Sequence, residues 1–340
     1  MTTKSKRGVV GYLMFDKIMV ENANALSGNL VYGVPAVTGI KGAFHAMSRK
    51  IMVGKDTADM KVALRGVLIA CHKHKLLASR SESYKNYRFM QQKTSVVAKG
   101  DFVKQSGGVS PSIIEQAYCS FTMSFVVEVV CDRYLTAQDK VVLASEAYKI
   151  IQHNRIAGGA VAPFKDKSKV SFIELDDLND LSYRLANSSI LVDATDSLID
   201  LLDENQDLTA IDVLLEVAGV NWTPVMPAIE SENSIKSVEW VKSRLGSKYG
   251  WLVPITNGYQ SISRTFLAGE MENSRPSDTK EVESSYVEAV YTLGRWVNPH
   301  TLRLNDDMRN AFWCYDYQPE NSLYLVKTNP ITKKGSRQNV

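Results

Sequence analysis

The chain has 340 residues, 44% of them hydrophobic and 23% charged, with a formal net charge of +3. That balance excludes an intrinsically disordered chain and allows about two domains with a sizeable core, but so small a net charge gives no global argument for nucleic acid. Four scattered cysteines, no apolar run near ~18 residues and no convincing secretory signal point to a soluble cytoplasmic protein in a reducing compartment, away from membranes. In chain order, residues 9–20, rich in Val, Leu, Phe, Ile and Met, predict a first strand. A Gly/Pro-rich loop follows, then a helix over 37–52. Val37, Ile40, Phe44, Met47 and Ile51 recur at steps of three and four and form one helical stripe. Lys41, His45 and Arg49 share a second, cationic face. Pro35 suits a helix entrance, and Thr38 can cap an amide there. Helix N-termini attract phosphate, so loop, dipole and cationic face can together hold a polyanion; a merely solvated basic face is the plainer alternative.

Residues 62–75 predict a second strand. Residues 118–131 predict a third, with Phe121, Met123, Phe125, Val127 and Val129 alternating at period two. Thr136 and Asp139 form a capping box that opens a helix to Gln152, and 160–174 supply a closing strand. Strand, helix, strand, strand, helix, strand is the βαββαβ order of the α+β, ferredoxin-like folds, whose RNA-recognition-motif (RRM-like) version is a nucleic-acid platform. The expected division is 1–175 for this domain and 176–340 for an irregular helical and C-terminal extension.

Between strands two and three, residues 76–117 carry Arg80, Lys85, Arg88, Lys93, Lys99 and Lys104 against Glu82, Asp101 and Glu115, with Tyr84, Tyr87 and Phe89 interleaved. A structureless excursion of that length is unusual, so an extended thumb hairpin with its tip near Gly107–Gly108 is expected. Cations track a single-stranded backbone while rings stack on bases; a solvated hairpin with packing aromatics is the alternative. Residues 174–216 reverse the sign, with twelve acidic residues and one basic, Arg184. Repulsion keeps RNA off that stretch, which reads as an acidic cap of short amphipathic helices. Residues 223–247 resemble a linker in composition. The last hundred residues are dense in aromatics, Trp251, Tyr259, Trp296, Trp313 and Tyr315 among them, as a core or buried interface would be.

Enzymatic signatures are sparse. There is no phosphate loop, dinucleotide fingerprint or His-Glu-x-x-His, and no cofactor is expected. Cys71-His72-Lys73-His74 invites a metal, but on a regular strand His72 and His74 share a face while Cys71 points away, and no second pair stands at zinc spacing. Gly39-Ile-Lys-Gly42 suits either a backbone clamp or close helix packing. In Asn154-Arg155-Ile-Ala-Gly158-Gly159, paired glycines let amides approach a phosphate beside Arg155; a plain tight connection is the alternative.

Several blocks resemble a known family. Asn22-Ala-Asn24-Ala, Gly33-Val-Pro35 and Gly42-Ala-Phe-His45-Ala are similar to the opening signature of the Cas-five-like subunit of the type I-F CRISPR surveillance complex, the second Csy protein. Arg155–Gly159, Gly250-Trp-Leu-Val-Pro-Ile255 with Gly258-Tyr259, and Leu293-Gly294 with Trp296 and Pro299-His300 follow in order. The resemblance implies a non-catalytic subunit that grips the 5′ repeat-derived handle of the guide RNA (crRNA). It also implies pairing with the large subunit, contact with an adjacent backbone subunit, and target DNA reached through the complex; anti-CRISPR proteins are further candidate partners. Phosphate contacts are expected from Lys41, Arg49, Arg80, Lys85, Arg88 and Arg155, with Thr38, His45, Lys93, Gly158 and Gly159 as further RNA-binding residues. Base contacts are expected from Asn22, Asn24 and backbone around Pro35, and stacking from Tyr87 or Tyr259. The alternative, by analogy with Cas-five-like proteins of other subtypes, is metal-independent cutting of precursor RNA by Tyr32, Lys41 and His45.

Overall fold

The computed structural model describes residues 8–80, 88–89, 91–93, 115–225, 239–270 and 283–331. The first strand, β1 (Gly8–Asn24), sends Leu13, Phe15, Ile18 and Val20 into one core and Tyr12 and Met14 into another. The period-two alternation skips between Phe15 and Ile18, where Lys17 takes a φ of 48° and its N–H donates to Ser124 Oγ at 2.9 Å. This is a β-bulge, which keeps both faces apolar despite the extra residue.

Helix α1 (Val37–Val53) buries the stripe foreseen from its spacing, and Phe44 stands 5.3 Å from the Phe15 ring and 5.1 Å from that of Phe125. Strand β2 (Ala63–Leu76) and strand β3 (Glu115–Cys131) follow. Helix α2 (Ala137–Gln152) opens with the expected capping box, Thr136 and Asp139 each bonding the other's backbone N–H. Two short strands, β4 (Arg155–Ile156) and β5 (Gly159–Val161), and then β6 (Val170–Ile173) complete the first half. The spatial order is β6-β1-β3-β2, every neighbour antiparallel, and both helices feed the same core.

The second half continues that sheet. Strand β7 (Ser189–Asp193) pairs with β2; helices α3 (Thr195–Glu204) and α4 (Ala210–Ala218) follow, their acids outward and Leu198, Leu201, Val213 and Val217 inward. Residues 221–225 and 239–243, β8 (Asn221–Val225) and β9 (Glu239–Ser243), form a separate hairpin in the stretch whose composition suggested a linker. Strands β10 (Trp251–Ser261), β11 (Val287–Val297), β12 (Cys314–Gln318) and β13 (Leu323–Lys327) extend the sheet in the order β12-β13-β10-β11-β7-β2. The aromatic-dense region is therefore strand where an irregular extension was expected. Gly258 shows why pattern alone fails there: a Cβ on it would stand 2.4 Å from the Tyr324 carbonyl oxygen, so β10 and β13 meet only because a glycine interrupts the alternation. The result is a mixed α+β protein built on one 12-stranded antiparallel sheet among the described residues.

Trp313 fastens the late strands to the early ones. It is fully buried; its backbone exchanges two hydrogen bonds with Val67, of 2.9 and 3.1 Å, and its Nε1–H donates to Leu191 O at 2.8 Å. Val67 can take this partner because it stands opposite Val127 in a regular antiparallel run, where its amide and carbonyl face away from β3. Trp313→Ala is expected to cost about 3–5 kcal/mol in urea unfolding, as loss of a fully packed aromatic does; a cost below about 1 kcal/mol would contradict this role.

Candidate nucleic-acid interface

The N-terminal half of α1 is where distant parts of the sequence meet. Ala36 is the N-cap and makes no side-chain hydrogen bond, so Thr38 does not take the capping part its position suggested. Its hydroxyl lies 3.3 Å from that of Tyr259 on β10. Pro35 is buried just ahead of the helix. On the other side stands the β4–β5 hairpin, whose turn residues Ala157 and Gly158 have φ of 48° and 83°. Two consecutive positive φ values suit the twist of a two-residue hairpin, and glycine takes the second without strain. The Ala157 carbonyl accepts the Asn24 N–H at 2.9 Å, and Ala157 Cα lies 3.5 Å from where a Gly39 Cβ would stand. Gly39 thus serves close packing. Gly159 is buried against Val20 and Ala23, while Gly158 and Arg155 are exposed.

Asn22 and Asn24 are exposed at the end of β1; the Asn24 side-chain oxygen already accepts the Leu26 N–H at 3.0 Å, which leaves its amino group as the donor. The base of the expected thumb lies at the same end of the sheet. Asn24 pairs with Tyr118, and Leu77 N–H donates to the Tyr118 carbonyl at 3.1 Å. Arg80 is exposed there. Arg88 belongs to a two-residue strand paired with Ala78–Ser79, and Lys93 to a short strand on the edge of β3. Lys85, Tyr87 and the tip at Gly107–Gly108 lie outside the described residues.

The cationic face of α1 is not uniform. Arg49 and His45 are exposed, but Lys41 is only 2% exposed, with its Nζ 4.2 Å from the centre of the Tyr315 ring. Helical spacing groups the three; the strand β12 covers one of them. Burial lowers the Lys41 pKa to about 8, against the opposing influence of Cys314 and Glu128. His45 Nδ1 lies 3.3 Å from the Tyr315 hydroxyl. Burial first, then the charges of Lys41 and Arg49, hold that imidazole below its ordinary range, so it is neutral at neutral pH. Burial and a hydrogen bond with Tyr315 raise the Tyr324 phenol. Tyr315 and Tyr324 are the members that sequence reasoning missed; their signal was the alternation of Tyr315 and Tyr317 in a strand that pattern did not reveal. Lys50 is a further one, donating to Asn154 Oδ1 at 2.7 Å and tying α1 to the loop before Arg155.

Tyr32 stands apart from Lys41 and His45 and lines a separate cavity with His74 and Trp251. The histidines of β2 also differ from expectation. A bulge between Cys71 and Lys73 puts His72 toward Ser124, 2.8 Å from its Oγ, while His74 Nε2 lies 3.0 Å from the Gly33 carbonyl. The two do not share a face, because the bulge inserts one residue between them. Among the described residues no group of three or more His, Cys, Asp or Glu is placed to hold a metal ion.

A large antiparallel sheet carrying two helices on one core, with the Ala157–Gly158 turn packed at the start of α1 and Arg155 exposed in the same hairpin, defines an α+β protein with a candidate anion-binding edge. The family model for the CRISPR-associated proteins Cas_Csy2 matches residues 13–326, and the chain belongs to that family. It is 25% identical over 332 residues, 93% of this chain and 94% of the relative, to the CRISPR-associated protein Csy2 of Pseudomonas aeruginosa strain UCBPP-PA14. Membership supports a subunit of a type I-F Csy complex. Among the described residues no helix is long and apolar enough to cross a membrane.

Lys41 yields a stability test with a definite sign. The unfolded chain holds the proton up to its ordinary pKa of 10.5, whereas the folded chain releases it at about 8. The cost of burying the ammonium is therefore fully present below pH 8 and fades as pH rises from 8 to 10.5. Lys41→Met, which keeps a polarizable contact with Tyr315, is expected to stabilise the fold at pH 7 by on the order of 1–3 kcal/mol. In paired thermal melts that advantage should disappear toward pH 10.5; an advantage independent of pH would contradict the buried ammonium.

Proposed function

We propose that the chain is the non-catalytic, Cas-five-like subunit of a type I-F CRISPR surveillance complex and grips the 5′ repeat-derived handle of the crRNA. The order β6-β1-β3-β2 with α1 and α2 on one core supports a ferredoxin-like, RRM-like first domain. The observation that carries the proposal is convergence. Asn24, the Ala157–Gly158 turn, Gly39 and the Thr38–Tyr259 pair, separate in sequence, meet within hydrogen-bond or van der Waals distance at the start of α1. Exposed Arg49, Arg80 and Arg155 supply phosphate charge around that edge, while Asn22 and Asn24 offer amides to base edges. The basic stretch 76–117, with Lys85, Tyr87, Arg88 and Lys93, would supply further RNA contacts toward the adjacent backbone subunit. The complex brings in target DNA, and the large subunit completes a heterodimer; anti-CRISPR proteins are further partners on this reading.

Handle affinity is expected to fall with salt at a log–log slope of about −0.7 per phosphate engaged, and Arg155→Ala should reduce the slope by about one such increment. A flat response to salt would overturn the electrostatic grip. Incubation with precursor RNA is expected to leave it intact; metal-independent cutting lost in His45→Ala would instead assign His45, with Tyr315 beside it, to general acid–base catalysis.

A further inference from the structure

A cavity of about 620 Å³ opens beside the loop that leads into α1. Gly33 and Val34, immediately before Pro35 and the helix entrance, line it together with Trp251, Val253 and Trp296. Trp251 and Trp296 are directly opposed across β10 and β11, so their indoles share a face of the sheet. Trp296 is half-buried against the main core, whereas Trp251 is 61% exposed at the cavity mouth.

The polar groups of the lining restrict what can enter. His74 Nε2 lies 3.0 Å from the Gly33 carbonyl, which can only accept, so Nε2 carries the hydrogen and Nδ1 is a bare acceptor. Burial keeps that ring below its usual range, and it is neutral at pH 7. The Cys71 thiol, raised by burial to about 11, is neutral too. Arg244 donates Nε to Val217 O at 2.6 Å and Nη2 to Leu252 O at 2.5 Å, two neutral carbonyls that fix the guanidinium in place and leave its charge intact. A flat ring with an N–H to donate finds aromatic surface and an acceptor here.

We infer that this cavity takes one unstacked nucleobase of the bound RNA, seated against Trp251 and beside the Gly33–Val34 segment. The inference rests on the RNA-gripping reading above and adds to it the pocket where the strand surrenders a base. Continuity favours a base over a protein side chain, because the Gly33–Val34 segment runs directly into the helix entrance where the backbone phosphates would be held. Base–aromatic stacking tolerates any base, so the pocket fixes position along the strand rather than sequence.

The test uses the full chain and handle RNA carrying 2-aminopurine at one position at a time. One position should be quenched on binding the wild type and recover in Trp251→Ala. Affinity should fall about tenfold or more, Trp251→Phe should retain part of it, and the salt slope should be unchanged because no phosphate contact is lost. Trp251 is largely exposed, so the variant should melt with the wild type. RNA bound with a normal salt slope, but with no quenched position and Trp251→Ala within twofold of wild type, would overturn the pocket and leave the RNA-gripping reading standing. No RNA binding at all would overturn both. Burial of Trp251 by a partner subunit without RNA, read by acrylamide quenching, would replace the base with a protein contact.

Discussion

The two-way backbone exchange between Trp313 and Val67 is the constraint from which the arrangement follows. Val67 stands opposite Val127 of β3 while its amide and carbonyl face the other side of the strand, and unpaired there they would be buried at a cost of a few kcal/mol. Trp313 satisfies both, and its indole closes a third bond to β7. Cys314 and Tyr315 follow at once in the chain, so the position of β12 is fixed by the residue before it. Tyr315 comes to rest over Lys41 and beside His45 for that reason.

The edge so formed has a graded electrostatic character. Arg49 and Arg155 are in solvent, where they can steer and hold a polyanion at little desolvation cost. Lys41 is the opposite case, an ammonium taken out of water and offset in part by a ring face. Such a group weakens the fold below the pH at which it loses its proton. His45 and His74 are both kept neutral, so they offer hydrogen bonds without adding to the charge. The acids of α3 and α4 belong to the second half of the chain, so a net charge of +3 is the small difference between a basic first half and an acidic second half of the sequence.

Bulges account for two of the local irregularities in the long strands. In β1 the extra residue at Lys17 keeps both faces apolar; in β2 the bulge between Cys71 and Lys73 sends His72 and His74 to different neighbours. A bulge has no reliable local signature, because its cause is the partner that needs the freed backbone group, and that partner lies far away in sequence.

Local physics was legible in the sequence. The α1 stripe from Val37 to Ile51, the Thr136–Asp139 capping box and the alternation of Phe121 to Val129 each depend on neighbours within a few residues, and each appears where spacing put it. The candidate edge was legible in part, since Asn24, Thr38, Arg155 and Tyr259 were named from their motifs. What the sequence could not decide was coverage. That Lys41 lies under Tyr315, that Tyr32 stands elsewhere, and that the aromatic-rich end continues the first sheet are settled by β12 and β7 docking on β2, contacts separated by more than a hundred residues. Helical and strand periods report which residues share a face; only the tertiary structure supplies the surface that face meets.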